Sequence, residues 1–537
     1  MPRSRFWIFE FTVGLAFLVL GWFAAPADGA DHARWRSAMS SITSSDLKRY
    51  VSVLADDAFE GRAAGSRGGH AAGIYLVRQL GKLGLSGAGE GGGYFQPFGS
   101  GYRNVLAWVA GSDPHLRHEV ILVGAHYDHV GYGTPQNSYG PFGYIHNGAD
   151  DNASGTAALL EVAEALARFE PRPRRSILLA WWDGEEEGLL GSEHWVRHPT
   201  VLASRVRMAV NLDMVGRLRH DHLEVSGTRT LAGLRHMVAR ENQGLDLKLD
   251  FTWEVADNSD HYSFFKRSIP FLMFHTGLHK DYHRPSDDVE RINFPGMQRI
   301  SRLLLGTIYE LANQEHLGGF RVASRRETPA EQRRLLHLSR PLRRRFGVSW
   351  DPHERQDHGI RITRVVAGSA ADQAGLHDGD RLVQFAGHAI SSPETLRSLV
   401  LSAGSPVSVV IERAGTAVPL ALRVTLSGKP VRLGIAWRMD DAEPGAVILT
   451  RVVPGSPADQ AALKVGDRIY EVGGRAFAQS EEFAKLARES SSPVVLRVER
   501  EGHIREARLE LSESRDTPAS GKDQDHGGSP ADSGGAF

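Results

Sequence analysis

Four short apolar runs, each followed directly or after a loop by polar side chains, organise the first half of the chain. Uninterrupted apolar runs of strand length are typical of strands buried on both faces, as in parallel sheets. Residues 44–82 are predicted to be helical with a break near 61–69, and stretches with helical spacing of apolar residues lie near 153–169, 190–204, 229–242 and 294–314. The alternation predicts an α/β fold, a mostly parallel sheet between helix layers. The four runs are Val120–Ala125, Ser176–Trp182, Met208–Leu212 and Ile269–Phe274.

The polar side chains beyond these runs are of the kinds that bind metal ions. In a parallel sheet, ligands bind beyond the carboxyl ends of the strands, so we expect these side chains to meet at one edge. In chain order they are His126 and Asp128, then Glu185 and Glu186, then Asp213, and finally Tyr282 and His283.

The segment GADDNASG, Gly148 to Gly155, places two adjacent carboxylates before a helix. Asn152 and Ser154 are residues that favour helix N-termini, and apolar residues follow with helical spacing. Taken alone, the segment would be an Asp-rich helix cap. Beside the other polar residues, Asp151 becomes a candidate to bridge two metal ions, one oxygen to each.

Five residues are therefore predicted to hold a pair of zinc ions: His126, Asp151, Glu186, Asp213 and His283. The chain has no cysteine, which excludes zinc–thiolate sites and disulfides. A zinc pair generates hydroxide at neutral pH and polarises a carbonyl. Each of the five residues alone would more often be an ordinary strand-end or loop residue, and their joint placement carries the prediction.

Three further residues are predicted to assist catalysis. Glu185 is the candidate general base, Asp128 would fix the orientation of His126, and Tyr282 would donate to the developing oxyanion. The consecutive residues Ser259-Asp260-His261 are not interpreted as a triad, because triad members come from separate segments. His275, His279 and Asp281 are expected on a loop surface.

Composition narrows the class of protein. The 537 residues carry a net charge of −1 and 41% hydrophobic residues, so the chain is globular and about three domains long. A near-zero charge gives no general attraction to nucleic acid, and no nucleic-acid partner is predicted. Residues 1–30 combine a basic start, an apolar stretch and a small-residue site, which indicates a signal peptide or an N-terminal anchor. We expect export to the periplasm or the exterior.

The second half of the chain contains an internal repeat. FGVSW at Phe346–Trp350 returns as LGIAW at Leu433–Trp437, 87 positions later. Two copies of one small β-rich module are predicted, at 346–428 and 432–513. The Arg-rich stretch 321–345 before them is predicted to be a linker, and the Gly- and Ser-rich residues 514–537 a disordered tail.

Residues 45–315 resemble metallopeptidase family 28, the zinc exopeptidases that include leucyl aminopeptidases. The resemblance implies two co-catalytic zinc ions, one on His126, Asp151 and Asp213 and the other on Asp151, Glu186 and His283, with Glu185 as base. It also leads us to expect a cis peptide after Asp151. The stretches that carry it are FEGRAAGSRGG (59–69), GAHYDHVG (124–131), GADDNASG (148–155), WWDGEEEGLLGS (181–192), NLDMVG (211–216), SDHYSFF (259–265) and YHRPSDD (282–288).

The two repeats resemble PDZ modules, in which a peptide C-terminus binds beside a sheet edge. They could bind such C-terminal peptides, or they could be structural appendages. The expected function is an exported aminopeptidase with two zinc ions, acting on peptides or proteins with a free N-terminus. A carboxypeptidase, a glutaminyl cyclase of the same fold, and a PDZ scaffold with a non-catalytic zinc domain are the alternatives.

Overall fold

The computed structural model describes residues 37–336, 345–351, 358–428 and 430–511. The predicted leader at 1–30 and tail at 514–537 lie outside these residues, as does part of the predicted linker, 337–344. Within the described ranges, no helix combines the length and apolar character that a membrane crossing needs.

Each predicted helical stretch contains a helix, although the predicted spans run past the helix ends. The structure adds helices that were not predicted, at 261–266, at 329–336 and within the two repeats. The predicted helical stretch 44–82 is two helices separated by a turn at Asp57–Arg62. The helices are α1 (Ser44–Leu54), α2 (Arg67–Lys82), α3 (Gly155–Arg168), α4 (Leu190–Arg197), α5 (Leu234–Glu241), α6 (His261–Lys266), α7 (Phe294–Asn313), α8 (Pro329–Leu336), α9 (Ala370–Gln373), α10 (Pro393–Ser402), α11 (Pro457–Gln460) and α12 (Ser480–Glu489).

The strands include all four predicted runs, with ends that shift by up to two residues. Those of the α/β domain are β1 (Ser86–Gly87), β2 (Phe95–Phe98), β3 (Tyr102–Val109), β4 (Val120–His126), β5 (Ser176–Trp182), β6 (Val206–Leu212), β7 (His222–Ser226), β8 (Lys248–Phe251) and β9 (Phe271–His275). The repeat region adds β10 (Val348–Ser349), β11 (Ile360–Arg361), β12 (Arg364–Val365), β13 (Arg381–Phe385), β14 (His388–Ala389), β15 (Val407–Glu412), β16 (Leu420–Val424), β17 (Ile435–Arg438), β18 (Val447–Val452), β19 (Arg468–Val472), β20 (Arg475–Ala476), β21 (Val494–Arg500) and β22 (His503–Leu509).

One sheet forms the centre of the α/β domain and confirms the predicted fold class. Its order is β1-β3-β5-β4-β6-β9-β7-β8, and β2 pairs with β3. The central strands β5, β4, β6 and β9 are mutually parallel, so their carboxyl ends lie at one edge. The outer strands are mixed, which departs from an all-parallel sheet.

Both faces of this sheet are covered, which explains the uninterrupted apolar runs. Along β4, Ile121 and Val123 join the core beneath α1, α3 and α7, whereas Val120 and Leu122 join a second core with Trp195 of α4. A strand whose side chains are buried on both faces of the sheet has no position at which a polar residue would reach water.

Each repeat forms a β-rich module with its own core, as predicted. The first has the sheet β11-β13-β15-β16 with β14 beside β13, and the second has β17-β18-β19-β21-β22 with β20 beside β19. The second module also contacts the α/β domain. Across that contact, Leu249 N–H donates to Glu501 O at 2.8 Å, and Gly233 N–H donates to Ala442 O at 2.9 Å.

Candidate metal centre

Three neighbouring strand ends supply most of the candidate site. His126 is the last residue of β4, Glu185 and Glu186 follow β5, and Asp213 follows β6. Since these strands are parallel and adjacent, the residues just past their ends converge. The sequence-based expectation that they meet at one sheet edge is confirmed.

Asp151 enters the site from the turn before α3. Gly148 opens this turn with a φ of 53°, a left-handed conformation that suits glycine. The Asp287 carboxylate fixes the turn by accepting the N–H groups of Asp150 and Asp151 at 2.9 and 3.0 Å. The peptide between Asp151 and Asn152 is cis, as expected from the resemblance.

One group of possible ligand atoms comprises His126, Asp151 and Asp213. The His126 Nε2 atom lies 3.4 Å from Asp151 Oδ1 and 3.4 Å from Asp213 Oδ1. All three residues are buried. This is the trio predicted for the first metal ion.

A second group contains Asp151, Glu186 and His283, the trio predicted for the other ion. The His283 Nε2 atom lies 3.1 Å from Asp151 Oδ2 and 3.0 Å from Glu186 Oε2. Asp151 thus offers a different oxygen to each group. His129 joins this second group, with Nδ1 only 2.7 Å from Glu186 Oε1. The sequence analysis missed His129, although it lies within the GAHYDHVG stretch.

The donor set fits zinc ions. It consists of imidazole nitrogens and carboxylate oxygens, which zinc accepts in tetrahedral sites. The buried His283 Nε2 atom makes no hydrogen bond among the described residues, although two carboxylate oxygens lie within 3.1 Å. A nitrogen so placed, with its lone pair available in the neutral imidazole, is suited to a cation between it and the carboxylates.

The structure places the three predicted catalytic residues around these groups. The Glu185 carboxylate lies 4.0 Å from His126 Nε2 and its side chain is 11% exposed, so it borders the cluster and still reaches solvent. Asp128 accepts the backbone N–H groups of Glu185 and Glu186 at 3.2 and 3.3 Å. Its distance to His126 Nδ1 is 3.6 Å, an ion-pair distance rather than a hydrogen bond. The Tyr282 ring stacks on His283, with ring centroids 3.9 Å apart.

The charges of this metal-free cluster shift several pKa values. Burial lowers the pKa of His126, but Glu185 and Asp213 outweigh burial and hold that pKa well above its usual value. For His283, burial is likewise outweighed by Asp151 and Glu186, and its pKa is raised to about 11. Burial, partly opposed by His126, raises the pKa of Glu185 well above its usual range. The cluster thus attracts positive charge.

Arg62 is a second residue that the sequence analysis missed. Its guanidinium is fully buried and donates to four backbone carbonyls, those of Leu54, Tyr127, Asn147 and Gly148. These contacts fix the turn before Asp151 and the strand end beyond His126. Burial lowers the pKa of Arg62 to about 10, so the group remains charged at neutral pH.

The expectation that His279 and Asp281 lie on a loop surface is wrong, whereas the expectation that Ser259-Asp260-His261 is not a triad is supported. The His279 side chain is only 2% exposed and lies 3.2 Å from Asp150, and Asp281 is buried with Arg217 as its partner. Neither belongs to a loop surface, because His279 packs against the turn that carries Asp151, and Asp281 accepts hydrogen bonds from Arg217 and Ser286. Ser259 and His261 bond to different partners, Asn211 and the Ala256 carbonyl, so they form no triad.

Comparison with sequence families agrees with the resemblance drawn from the motifs. Residues 104–308 match the model of peptidase family M28. Residues 361–413 and 431–511 each match a PDZ domain model. The chain therefore contains a region of the M28 type followed by two PDZ domains.

The proteins and solved structures to which the chain is similar include aminopeptidases. The chain is 29% identical over 305 residues to leupeptin-inactivating enzyme 1 of Streptomyces exfoliatus, covering 56% of this chain and 64% of that protein. It is 30% identical over 212 residues to aminopeptidase YwaD of Bacillus subtilis, covering 37% of this chain and 43% of that one. The LapA aminopeptidase of Legionella pneumophila aligns with a TM-score of 0.46 and 20% identity, over 53% of this chain and 76% of that chain.

Proposed function

We propose that the chain is a zinc-dependent aminopeptidase that binds two zinc ions. The observation that carries the proposal is the pair of His–carboxylate groups that share Asp151, one group containing His126 and the other His283. The match to peptidase family M28 supports hydrolysis of peptide bonds. The relatives named as aminopeptidases support the N-terminal bond as the one cleaved.

The metal would be held by the residues that the two groups contain. His126, Asp151 and Asp213 would bind one ion, and Asp151, Glu186 and His283 the other. A bound zinc pair would supply Lewis-acid polarisation of the substrate carbonyl and a water of lowered pKa. The His129 imidazole, 2.7 Å from Glu186, would hold that carboxylate in place.

Glu185 would move the proton. Its carboxylate borders the cluster, and burial gives it a pKa well above that of an exposed glutamate in the metal-free protein. A carboxylate with raised proton affinity takes a proton from the attacking water and returns it to the leaving amine. Asp128 positions this base, because it accepts the N–H groups of both Glu185 and Glu186.

The carboxylates of the site would also decide which end of a peptide substrate binds there. A free ammonium group is attracted to a site rich in carboxylates, which favours an aminopeptidase over a carboxypeptidase. Tyr282, stacked on His283, would donate its hydroxyl hydrogen to the developing oxyanion. Burial raises the pKa of Tyr282, so the hydroxyl keeps its hydrogen at neutral pH.

The test is hydrolysis of free and N-acetylated aminoacyl-nitroanilides by the zinc-loaded chain. We expect turnover of the free-amine substrates alone, with about two zinc ions per chain by elemental analysis. Cleavage of C-terminal residues instead would indicate a carboxypeptidase. Cyclisation of N-terminal glutamine would indicate a glutaminyl cyclase. No hydrolysis of any of these substrates would favour the alternative of a PDZ scaffold with a non-catalytic zinc domain.

Glu185→Gln is the matching variant. Loss of the base should lower kcat by roughly 10²- to 10⁴-fold while the zinc content stays unchanged. Glu187→Gln is the control, because the exposed Glu187 carboxylate in the same run accepts only the Tyr102 hydroxyl, at 2.7 Å. Equal losses in the two variants would contradict the role of Glu185.

The first PDZ domain has a groove suited to a peptide C-terminus. A cavity of about 270 Å³ lies between the Phe346–Val348 loop and α10, and Leu396 and Val400 form its apolar wall. We propose that it binds C-terminal peptides. Arg345 holds the loop to the helix end by donating to the carbonyls of Leu401 and Ala403. Binding of fluorescent peptides should vanish when their C-terminus is amidated, and equal binding of both forms would refute the proposal.

We also propose export, either into the periplasm or out of the cell, with the option of an N-terminal membrane anchor. The support is the basic and then apolar pattern of residues 1–30. Cell fractionation and N-terminal sequencing of the mature chain test it. A soluble cytoplasmic product that retains Met1 would refute it.

A further inference from the structure

A second cavity, of about 420 Å³, lies one strand away from the metal centre. In the β6–β9 pair, Leu212 is opposite Phe274, so the next residues, Asp213 and His275, are neighbours at the strand ends. His275 lines the cavity. A substrate whose reacting carbonyl lay at a metal ion held by Asp213 would therefore lie beside this cavity.

The cavity floor is one face of the sheet. Met273 and His275 alternate along β9, and their partners on β7 are Ser226 and Glu224. Paired residues of adjacent strands lie on the same face, and all four line the cavity. The floor thus changes from apolar at Met273 to acidic at Glu224.

The remaining wall adds a second carboxylate. Thr252 and Glu254 follow β8 and line the cavity. Phe251 precedes Thr252, and Trp253 lies between Thr252 and Glu254. Both rings are buried, with the Arg235 guanidinium over Phe251 and the Arg229 guanidinium over Trp253. The wall is therefore supported from behind by buried contacts, and Glu254 faces the cavity from a fixed segment.

The lining carries net negative charge. Among the described residues that line it, Glu224 and Glu254 are acidic and none is lysine or arginine. The Arg219 guanidinium lies beside the lining, where it donates to the carbonyls of Thr276, Gly277 and Leu278. Arg219 can offset part of the charge of Glu224, but no lysine or arginine stands beside Glu254 in the described lining.

His261 provides a separate indication of a ligand. It lines the cavity and is only 1% exposed. Its Nε2 lies 2.9 Å from the Ala256 carbonyl and must donate there, so Nδ1 is an acceptor in the neutral ring. Within the described residues Nδ1 has no hydrogen-bond partner. Burial lowers the pKa of His261 to about 4, which keeps the ring neutral at pH 7.

We propose that this cavity receives the side chain of the substrate's N-terminal residue and selects lysine or arginine. The inference rests on the proposed aminopeptidase function. The methylene stem of such a side chain suits Met273 and Leu278, and its charged end suits the carboxylates of Glu224 and Glu254. The acceptor nitrogen of His261 would take one further N–H. An acidic side chain would be repelled.

Specificity constants for arginyl-, lysyl-, leucyl- and glutamyl-nitroanilides test the proposal. A hydrogen-bonded charge pair predicts that kcat/KM for arginine and lysine exceeds that for leucine by roughly 10- to 100-fold. The glutamyl substrate should be the poorest. A leucyl substrate that is cleaved as well as or better than the arginyl one overturns the inference and leaves the aminopeptidase proposal intact.

The variants are Glu224→Gln, Glu254→Gln and their combination. The combined variant should lose roughly 10-fold or more in kcat/KM for arginine while leucine changes by less than about 3-fold. Because both side chains are on exposed residues, stability should change little. Glu489→Gln, an exposed carboxylate on α12, is the control and should leave both substrates unchanged. Parallel losses for arginine and leucine would overturn the inference.

Calorimetric binding separates this inference from the proposed reaction. The zinc-loaded Glu185→Gln variant should bind argininamide more tightly than leucinamide, and the added Glu224→Gln and Glu254→Gln changes should abolish the difference. If no nitroanilide is hydrolysed, the proposed function fails. In that case, selective argininamide binding still supports the proposed selectivity of the cavity, and equal binding of both amides overturns that proposal.

Discussion

Two clusters of buried charge among the described residues differ in how well their positive and negative groups are balanced. In the first, at the contact between the α/β domain and the second PDZ domain, each buried carboxylate faces an arginine. In the second, at the sheet edge, carboxylates gather around histidines with one buried arginine, Arg62, nearby. The comparison indicates that balanced buried charge joins two domains, whereas an excess of buried carboxylates forms a binding site for cations.

The balanced cluster is built from two-point arginine–carboxylate contacts. Arg235 donates to both oxygens of Glu499 at 2.8 and 3.0 Å, and Arg468 does the same to Glu443. Arg229 lies between Glu327 and Asp440. Such paired geometry compensates much of the cost of removing the ions from water. No further ion is needed there.

The unbalanced cluster leaves carboxylates in excess. Asp151, Glu186 and Asp213 come together with His126 and His283, which are neutral as metal ligands. Arg62 donates to backbone carbonyls and so gives none of these carboxylates a hydrogen bond. Two divalent cations would supply the charge that the chain itself lacks.

The largest predicted effect is on the balanced cluster. Arg235→Met removes one member of the pair and leaves Glu499 buried and uncompensated, at a cost of about 3–5 kcal/mol. Hydrogen exchange of the Leu249 and Gly233 amides, which donate across the contact, should show the loss as earlier opening. Adding Glu499→Leu should restore most of the protection.

The control for this variant is on the same helix. Arg240 pairs with Glu310 at 2.9 Å, but its side chain is 49% exposed, so Arg240→Met should cost no more than about 1 kcal/mol. If the two arginine variants behave alike, burial of the charge pair does not explain the docking of the second PDZ domain.

The unbalanced cluster should couple metal binding to proton release. The carboxylates hold the pKa of His126 well above its usual value and that of His283 at about 11, so protons on these imidazoles compete with metal ions. Zinc needs neutral imidazole, so binding should release protons and tighten as the pH rises, by roughly 10-fold per pH unit for each proton released. Calorimetry in buffers of different ionisation enthalpy measures the release. Affinity that is independent of pH would contradict the charge argument.

His129 should have a smaller effect on the same site. Its imidazole lies 2.7 Å from Glu186, and removing such a supporting contact typically weakens metal binding by about 10- to 100-fold. His129→Gln should show this loss in competitive zinc titration with a chelator. His146→Gln is the comparison, since His146 is a buried histidine that bonds Ser138 and the Tyr144 carbonyl, outside both ligand groups. A loss of 10⁴-fold or more would make His129 a full ligand.

The strand-end residues of the site could be predicted from the sequence because a short-range pattern fixes them. An apolar run sets the strand, and the parallel sheet brings together whatever follows it, as with His126 and Asp213. The sequence pattern also gave the two β-rich modules. The strand-end residues depend on local periodicity and on one rule of topology, and the modules depend on a direct repeat of the sequence.

The residues that were missed depend on contacts between distant segments. Arg62 is buried only because Tyr127, Asn147 and Gly148 present carbonyls to it, and a lone arginine is usually exposed. His279 is buried because the loop folds onto Asp150. Likewise, Arg235 and Glu499 are 264 positions apart, and no periodicity connects them.

The most gradual predicted effect is the acid response of the balanced cluster. Burial would raise the pKa of Asp440 and Glu443, but the neighbouring arginines outweigh it and hold both at about 2. Because these pKa values are lowered on folding, their stabilisation is complete above about pH 4.5 and is lost as the pH falls towards 2, by at most about 1.4 kcal/mol per pH unit for each group. Exchange of the Gly233 amide, corrected for its intrinsic rate, should therefore quicken over that window. In Glu443→Gln, the quickening should be shallower because one of the two titrating groups is gone, and an unchanged slope would show that the contact does not depend on these charges.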